Sequence, residues 1–193
     1  MTDGYGRKIE YLRMSVTDAC NLRCVYCMPP DGMKECPCRQ AMSADEFVEI
    51  ARAAAGLGMK KLRITGGEPL VRGDIVPLVH RLGEIPGIED MSLTTNATLL
   101  APMAQELYEA GIHRINISLD TLNAERYEKI TRGGRLADAL DGIRAALEAG
   151  MSPVKLNTVL IGGFNDDEIE ALAALTMSCP VQLRFIELMP IGD

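Results

Sequence analysis

Thr17-Asp18-Ala19-Cys20-Asn21-Leu22-Arg23-Cys24-Val25-Tyr26-Cys27-Met28-Pro29 carries three cysteines in the spacing C-x3-C-x2-C. Three thiolates this close can hold three irons of a four-iron, four-sulfur cube and leave the fourth iron open to an exchangeable ligand. Electron-transfer clusters are usually closed by four cysteines, and structural zinc by four Cys or His ligands. A trio therefore points to a centre that binds something and does chemistry. The plainer reading is a zinc knuckle, in which Asp18 or Asn21 completes the ligand set.

Outward from this run, strand-like and helix-like segments alternate. Strands are expected at about 12–17, 61–65, 91–95, 113–119, 154–160 and 181–187, from β-branched runs bounded by turn residues. Helices are expected at about 44–57, 73–83, 101–110, 123–131 with 136–149, and 166–177, from apolar residues at helical spacing. Ser43 with Glu46 forms a capping box ahead of the stripe Phe47, Ile50, Ala51, Ala54, and Asn165 with Glu168 repeats the device. Such alternation gives a parallel sheet with right-handed crossovers.

The strands carry a second message. Parallel strands covered on both faces are apolar on both. Here Leu12, Met14 and Val16 alternate with Arg13, Ser15 and Thr17. Leu62 and Ile64 alternate with Arg63 and Thr65, and Ile115 and Ile117 with Asn116 and Ser118. Val154 and Leu156 alternate with Lys155 and Asn157. One face packs under helices and the other is polar. A closed eight-stranded barrel fills its interior with bulky aliphatics. Six strands with a polar inner face predict an α/β fold of the open, partial TIM-like barrel kind, enclosing a polar ligand. The alternative is a flat doubly wound sheet whose polar residues sit at strand ends.

Composition sets the outer limits. With 193 residues, 47% of them hydrophobic, the chain can build a sizeable core, so a single domain over 1–193 is expected, with an N-terminal arm at 1–11 and a cluster loop at 18–42. A net charge of −7 argues against a nucleic-acid surface, so any anion site is a local pocket. No apolar run approaches the ~20 residues that span a bilayer, and the polar N-terminus predicts a cytoplasmic protein without a membrane partner. Cys36 and Cys38 read as solvated loop thiols or a further metal pair, and Cys179 as a small buried hydrophobe.

Arg63-Ile64-Thr65-Gly66-Gly67-Glu68-Pro69 follows the second expected strand, and its glycines let backbone groups approach a ligand closely. Together with C-x3-C-x2-C and an aromatic before the last cysteine, this resembles the radical S-adenosylmethionine (SAM) superfamily. The resemblance implies a (β/α)6 partial barrel and a [4Fe-4S] cluster on Cys20, Cys24 and Cys27 as the catalytic centre. It further implies reductive cleavage of SAM to a 5′-deoxyadenosyl radical that abstracts hydrogen from substrate. It places SAM contacts at Tyr26, Gly66, Gly67, Glu68, Ser118 and Met189, and sets Ile161-Gly162-Gly163-Phe164 where the adenine is approached.

Longer strings narrow the likeness: Leu12-Arg13-Met14-Ser15-Val16-Thr17-Asp18, Leu93-Thr94-Thr95-Asn96, Arg114 to Asp120 and Arg184 to Met189. They resemble the GTP 3′,8-cyclase family, lyases that open molybdenum cofactor biosynthesis. This implies GTP as substrate, held by Arg13, Arg63, Thr94 and Lys155, and (8S)-3′,8-cyclo-7,8-dihydroguanosine 5′-triphosphate as product. It also implies a flavodoxin- or ferredoxin-like electron donor, and is compatible with a homodimer. The cations have a residue-level rationale: charges on the inner wall of an acidic protein are costly without an anionic partner. The alternative is internal pairing, Arg63 with Glu68 or Arg13 with Asp18. The family further implies a C-terminal region or partner with a second cluster, and Cys36, Cys38 and Cys179 lack the spacing to supply it. The rival readings are a radical SAM enzyme acting on a peptide, a core that binds cluster and SAM without full turnover, and a zinc or electron-transfer module.

Overall fold

The computed structural model describes residues 2–29 and 42–189. Six strands, β1 (Tyr11–Ser15), β2 (Lys61–Thr65), β3 (Asp90–Thr95), β4 (Ile112–Ser118), β5 (Val154–Leu160) and β6 (Val181–Glu187), form one sheet. All neighbours are parallel, and the strands lie in chain order, β1 to β6. That order decides between the two architectures expected. A doubly wound sheet reverses strand order at a switch point and carries helices on both faces. Here the order never reverses, so right-handed crossovers bring every helix to the same face. With β1 and β6 as unpaired edges, the sheet is an open, partial (β/α)6 barrel.

The helices are α1 (Ala44–Gly56), α2 (Ile75–Gly83), α3 (Ala104–Glu109), α4 (Ala124–Thr131), α5 (Leu136–Glu148) and α6 (Ile169–Ser178), with short 3-10 turns leading into α3 and α6. The core lies between them and the sheet, where Met14, Leu62, Ile64, Leu93, Ile115, Ile117, Val154 and Leu156 are at most 5% exposed. The alternate strand positions Arg13, Arg63, Thr94, Ser118, Lys155 and Asn157 are less buried, as the polar-face reading expected, whereas Thr65, Ser92 and Asn116 on the same alternation are at most 5% exposed. Among the described residues no helix is long and apolar enough to cross a membrane.

Local signals read from sequence hold with two corrections. Ser43 and Glu46 form a reciprocal capping box at α1. Ile50, however, is 43% exposed, and Val48 joins Phe47, Ala51 and Ala54 in the core instead. Asn165 and Glu168 do not cap α6. The Asn165 side chain donates to the carbonyls of Asp120 (2.7 Å) and Val159 (2.9 Å), tying β4 to β5. Glu168 accepts from Thr121 Oγ1 (2.6 Å) and the Leu122 amide (2.7 Å). Both residues satisfy buried groups across the sheet edge, which outweighs capping an exposed helix end. Cys179 is half-buried and packs against the core, whereas Cys36 and Cys38 lie outside the described residues.

Candidate active site

The expected ligands of cluster and SAM meet where the strands end. The segment 16–19 leaves β1 beside the 65–68 loop, and the two backbones stay zipped. Val16 N donates to Thr65 O (2.9 Å), Gly67 N to Thr17 O (2.7 Å) and Glu68 N to Ala19 O (2.8 Å). Glycine is required for that approach, because a Cβ on Gly67 would lie 2.3 Å from Ala19 O. Gly67 is itself exposed, with its backbone open to a ligand.

Five further contacts seat the cysteine loop. Asn21 joins the end of β3: its amide accepts from Asn96 Nδ2 (2.9 Å) and donates to Thr98 Oγ1 (2.9 Å). Both ends of that amide are thus engaged in holding the loop against β3. Leu22 is buried against α4. Arg23 N and Val25 N donate to the carbonyls of Thr131 (3.0 Å) and Ile130 (2.9 Å) at the end of α4. Arg132 Nη1 donates to the carbonyls of Arg23 (3.0 Å) and Met28 (2.8 Å).

Tyr26 makes the fifth contact, donating its hydroxyl to Asp120 Oδ2 at 2.5 Å. Asp120 is 5% exposed and accepts at its other oxygen from Val159 N (2.8 Å). Burial raises its carboxyl above the usual aspartate range, against these two donors. The loop thus lands on the ends of β2, β3, β4 and α4 together.

Cys20 and Cys24 are half-buried and Cys27 is exposed, all as free thiols. Burial, then the neighbouring Cys27, Asp120 and Cys20, pushes the Cys24 thiol up to about 12. Thiols in this setting ionise when a cationic centre lies among them. Among the described residues no three Cys, His, Asp or Glu side chains are gathered tightly enough for a single metal ion. Three thiolates on one short loop, each able to terminate one iron of a sulfide-bridged cube, suit an iron–sulfur centre.

Glu68 is 1% exposed and faces inward. Oε1 accepts from Thr95 Oγ1 (2.7 Å) and Leu70 N (3.0 Å), and Oε2 from Asn96 N (2.7 Å). It is not the partner of Arg63 that internal pairing would need. Burial raises its carboxyl, and the three donors oppose that shift.

Ser118 lies beside Asn157 in the β4–β5 register. Asn157 Oδ1 is buried without a hydrogen-bond partner. Such an orphaned acceptor costs free energy until a donor arrives. Sequence placed Asn157 on the polar face but gave no reason to single it out. Met189 follows β6 and is 67% exposed.

Deeper on the same face lie the cations. Arg13 pairs in register with Arg63, Ser92 with Arg114, and Asn157 with Arg184. Arg63, Ser92, Arg114, Asn116 and Lys155 line a small cleft. Arg13 Nη2 reaches Thr65 Oγ1 at 3.5 Å, Arg63 stacks over the Tyr11 ring, and Arg63 Nε is buried without a hydrogen-bond partner. Arg114 pairs with Asp90. Burial, then Arg184, Arg114 and Arg63, holds the Lys155 ammonium below the ordinary lysine value. Thr94 is half-buried in the same layer, in register with Asn116. Arg114 and Arg184 thus join the four substrate-side residues read from sequence.

Arg72 was also missed. It donates to the carbonyls of Val16 (3.1 Å) and Met42 (3.0 Å), just before and at the end of the cluster loop, while Asp74 takes its other nitrogens (2.6 and 3.0 Å). The two carbonyls are distant in sequence, so no local pattern marks the bridge.

Known proteins agree with this arrangement. Proteins named GTP 3′,8-cyclase from Pelotomaculum thermopropionicum and Listeria monocytogenes are 58% and 55% identical, over 100% of this chain. The chain spans 59% and 58% of their respective lengths. Among solved structures, Streptococcus suis SuiB bound to S-adenosylmethionine superposes with a TM-score of 0.75 at 20% identity, over 96% of this chain and 40% of SuiB. Methylornithine synthase (PylB) superposes with a TM-score of 0.71 at 19% identity, over 95% of this chain and 55% of that one. These two likenesses establish the fold.

The Radical SAM superfamily model matches residues 14–176, which take in the end of β1, the cysteine loop, the glycine turn and strands β2 to β5. A [4Fe-4S] cluster and SAM come with that domain. By the match and by the arrangement of these residues, the chain belongs to the radical SAM superfamily.

Proposed function

We propose that the chain performs the chemistry of a GTP 3′,8-cyclase, converting GTP to (8S)-3′,8-cyclo-7,8-dihydroguanosine 5′-triphosphate for molybdenum cofactor biosynthesis. Residues 1–193 then act as one radical SAM core in the cytoplasm, with an N-terminal arm at 1–11 and a cluster loop at 18–42. Electrons come from a flavodoxin- or ferredoxin-like donor. The observation that carries the substrate assignment is the group of cations on the inner face of the sheet, beneath the glycine turn. Arg63, Arg184 and Lys155 crowd one another there, and a polyanion relieves that repulsion. The relatives named GTP 3′,8-cyclase supply the identity of the polyanion.

In this reading Cys20, Cys24 and Cys27 would hold the cluster, which would supply the electron for reductive cleavage of SAM. The chain's own residues position the partners. Gly66 and Gly67 present backbone groups to SAM, Ser118 and Asn157 offer a hydroxyl and an unfilled acceptor, and Tyr26 and Met189 close the pocket. Glu68 holds the glycine turn against β3. Arg13, Arg63 and Lys155, with Arg184 and Thr94, hold the triphosphate and sugar of GTP. The guanidinium forks match phosphate oxygens. A peptide substrate gains no support from the likeness to SuiB, which is one of fold alone.

Anaerobic reconstitution tests the reading. The chain takes up iron and sulfide, its spectrum changes on adding SAM, and dithionite then yields 5′-deoxyadenosine in an amount raised by GTP and not by peptides. A colourless zinc protein, or a yield indifferent to GTP, refutes it.

The Lys155 environment gives a second test. Lys155 gives up its proton at lower pH than an ordinary lysine, so it becomes neutral as pH rises through that lowered value. A triphosphate prefers the cation, so affinity is full below the value and falls above it. In Lys155→Arg the guanidinium stays charged throughout. The ratio of wild-type to Lys155→Arg affinity for GTP, measured calorimetrically, falls as pH rises, and does so at lower pH than an ordinary lysine would give. A flat ratio removes Lys155 from the triphosphate site.

A further inference from the structure

We infer that Arg132 is a positioning residue for the cluster, strapping the turn that carries Cys24 and Cys27 onto the end of α4. The inference rests on the reading of those cysteines as cluster ligands.

Arg132 caps α4 with φ 55° and ψ 55°, a left-handed conformation. Residues with a Cβ adopt it at a cost, and glycine is the usual occupant at a helix end. Gly133 and Gly134 stand immediately after it. An arginine at this position carries a backbone penalty that its side-chain contacts help to offset, beside the helix-end bond from Gly133 N to Glu128 O (2.9 Å).

The side chain does have partners. One nitrogen, Nη1, donates to the carbonyls of Arg23 and Met28 at 3.0 and 2.8 Å. Those two carbonyls bracket Cys24 and Cys27 in sequence. Within the bracket Cys27 N and Met28 N both donate to Cys24 O, at 2.9 and 3.2 Å, so the turn is compact.

The same turn is bound from below. Arg23 N and Val25 N take the carbonyls of Thr131 and Ile130, which belong to the last turn of a helix and lack partners within it. Gly134 shapes the seat, since a Cβ there would lie 2.7 Å from Thr131 Oγ1 and 2.8 Å from Leu22 Cδ2. A cation is favoured beside helix-terminal carbonyls. The end of α4 and its arginine thus grip the loop from two sides.

The test uses Arg132→Gly, Arg132→Gln and Arg132→Lys in the full chain. Arg132→Gly removes the strap and relieves the left-handed backbone, so its urea midpoint holds or rises. Hydrogen exchange in the metal-free chain reads the amides of Arg23 and Val25, and bathophenanthroline disulfonate reads the rate of iron loss after anaerobic reconstitution. In Arg132→Gly and Arg132→Gln both amides exchange faster. Iron leaves about tenfold faster, a loss typical of removing a residue that orients metal ligands. Arg132→Lys keeps a cationic nitrogen and restores most of both. Wild-type iron loss in Arg132→Gly and Arg132→Gln overturns the inference, whether or not the loop amides exchange faster. Failure of the wild-type chain to bind iron and sulfide instead refutes the cysteine assignment, and the exchange arm still decides whether the strap exists.

Discussion

Replacing Gly67 by alanine unseats the cysteine loop while leaving the sheet folded. The new methyl carbon would lie 2.3 Å from Ala19 O, 2.8 Å from Ala19 C and 2.8 Å from Asp18 O, all backbone atoms. No rotamer change removes such a clash, so the two backbones must part. Parting breaks the bonds from Gly67 N to Thr17 O and from Glu68 N to Ala19 O. Overpacking and two lost hydrogen bonds together cost about 3 kcal/mol. Most of that falls on the local docking of residues 17–20. The Gly67→Ala chain therefore unfolds in urea as one transition at reduced stability, and it retains little iron after reconstitution. Gly73→Ala is the control: its Cβ meets nothing within 4 Å, and a substitution there stays within about 0.5 kcal/mol of wild type. Equal iron content in Gly67→Ala and Gly73→Ala chains refutes the close-approach argument.

The contrast between these glycines shows what was legible in the sequence. Strand and helix bounds came from periods of two and of about 3.6 residues, properties of a single segment. The polar inner face followed in the same way from Arg13, Arg63, Asn116 and Lys155. Asn165 misled because its capping pattern is local, whereas its real partners, the carbonyls of Asp120 and Val159, belong to the ends of two strands. Ile50 misled because a helix stripe has edges, and packing against the sheet decides which edge is covered. Asn157, Arg72 and Arg132 escaped notice because their significance lies in what surrounds them. An unfilled acceptor, a bridge between two distant carbonyls and a left-handed backbone leave no periodic trace. The proposed cluster ligation, in contrast, rests on spacing alone, because three sulfurs that serve one inorganic core must reach it from a single short loop.

Glu68→Ala should destabilise the fold by about 4 kcal/mol, because three buried donors lose their acceptor together and each costs roughly 1–3 kcal/mol. The donors are Leu70 N, Thr95 Oγ1 and Asn96 N. The arrangement explains why a carboxylate sits there despite its burial. Two of the donors share Oε1 and the third takes Oε2, so both oxygens must accept. Glutamine can satisfy Leu70 and Thr95 but turns an amide N–H2 toward Asn96 N. Glu68→Gln should therefore fall between wild type and alanine, at a cost of about 2 kcal/mol. The damage extends beyond the pocket wall. Asn96 donates to Asn21 in the cysteine loop, so loosening Asn96 N loosens the loop's hold on β3. Urea unfolding and SAM titration of the reconstituted chain separate two roles for this residue. A brace that aligns the glycine turn predicts the stability order wild type, Gln, Ala, with SAM affinity following the same order. A side chain that binds SAM directly predicts weakened SAM affinity in both variants at unchanged stability. Three short bonds to the protein's own groups and 1% exposure favour the brace.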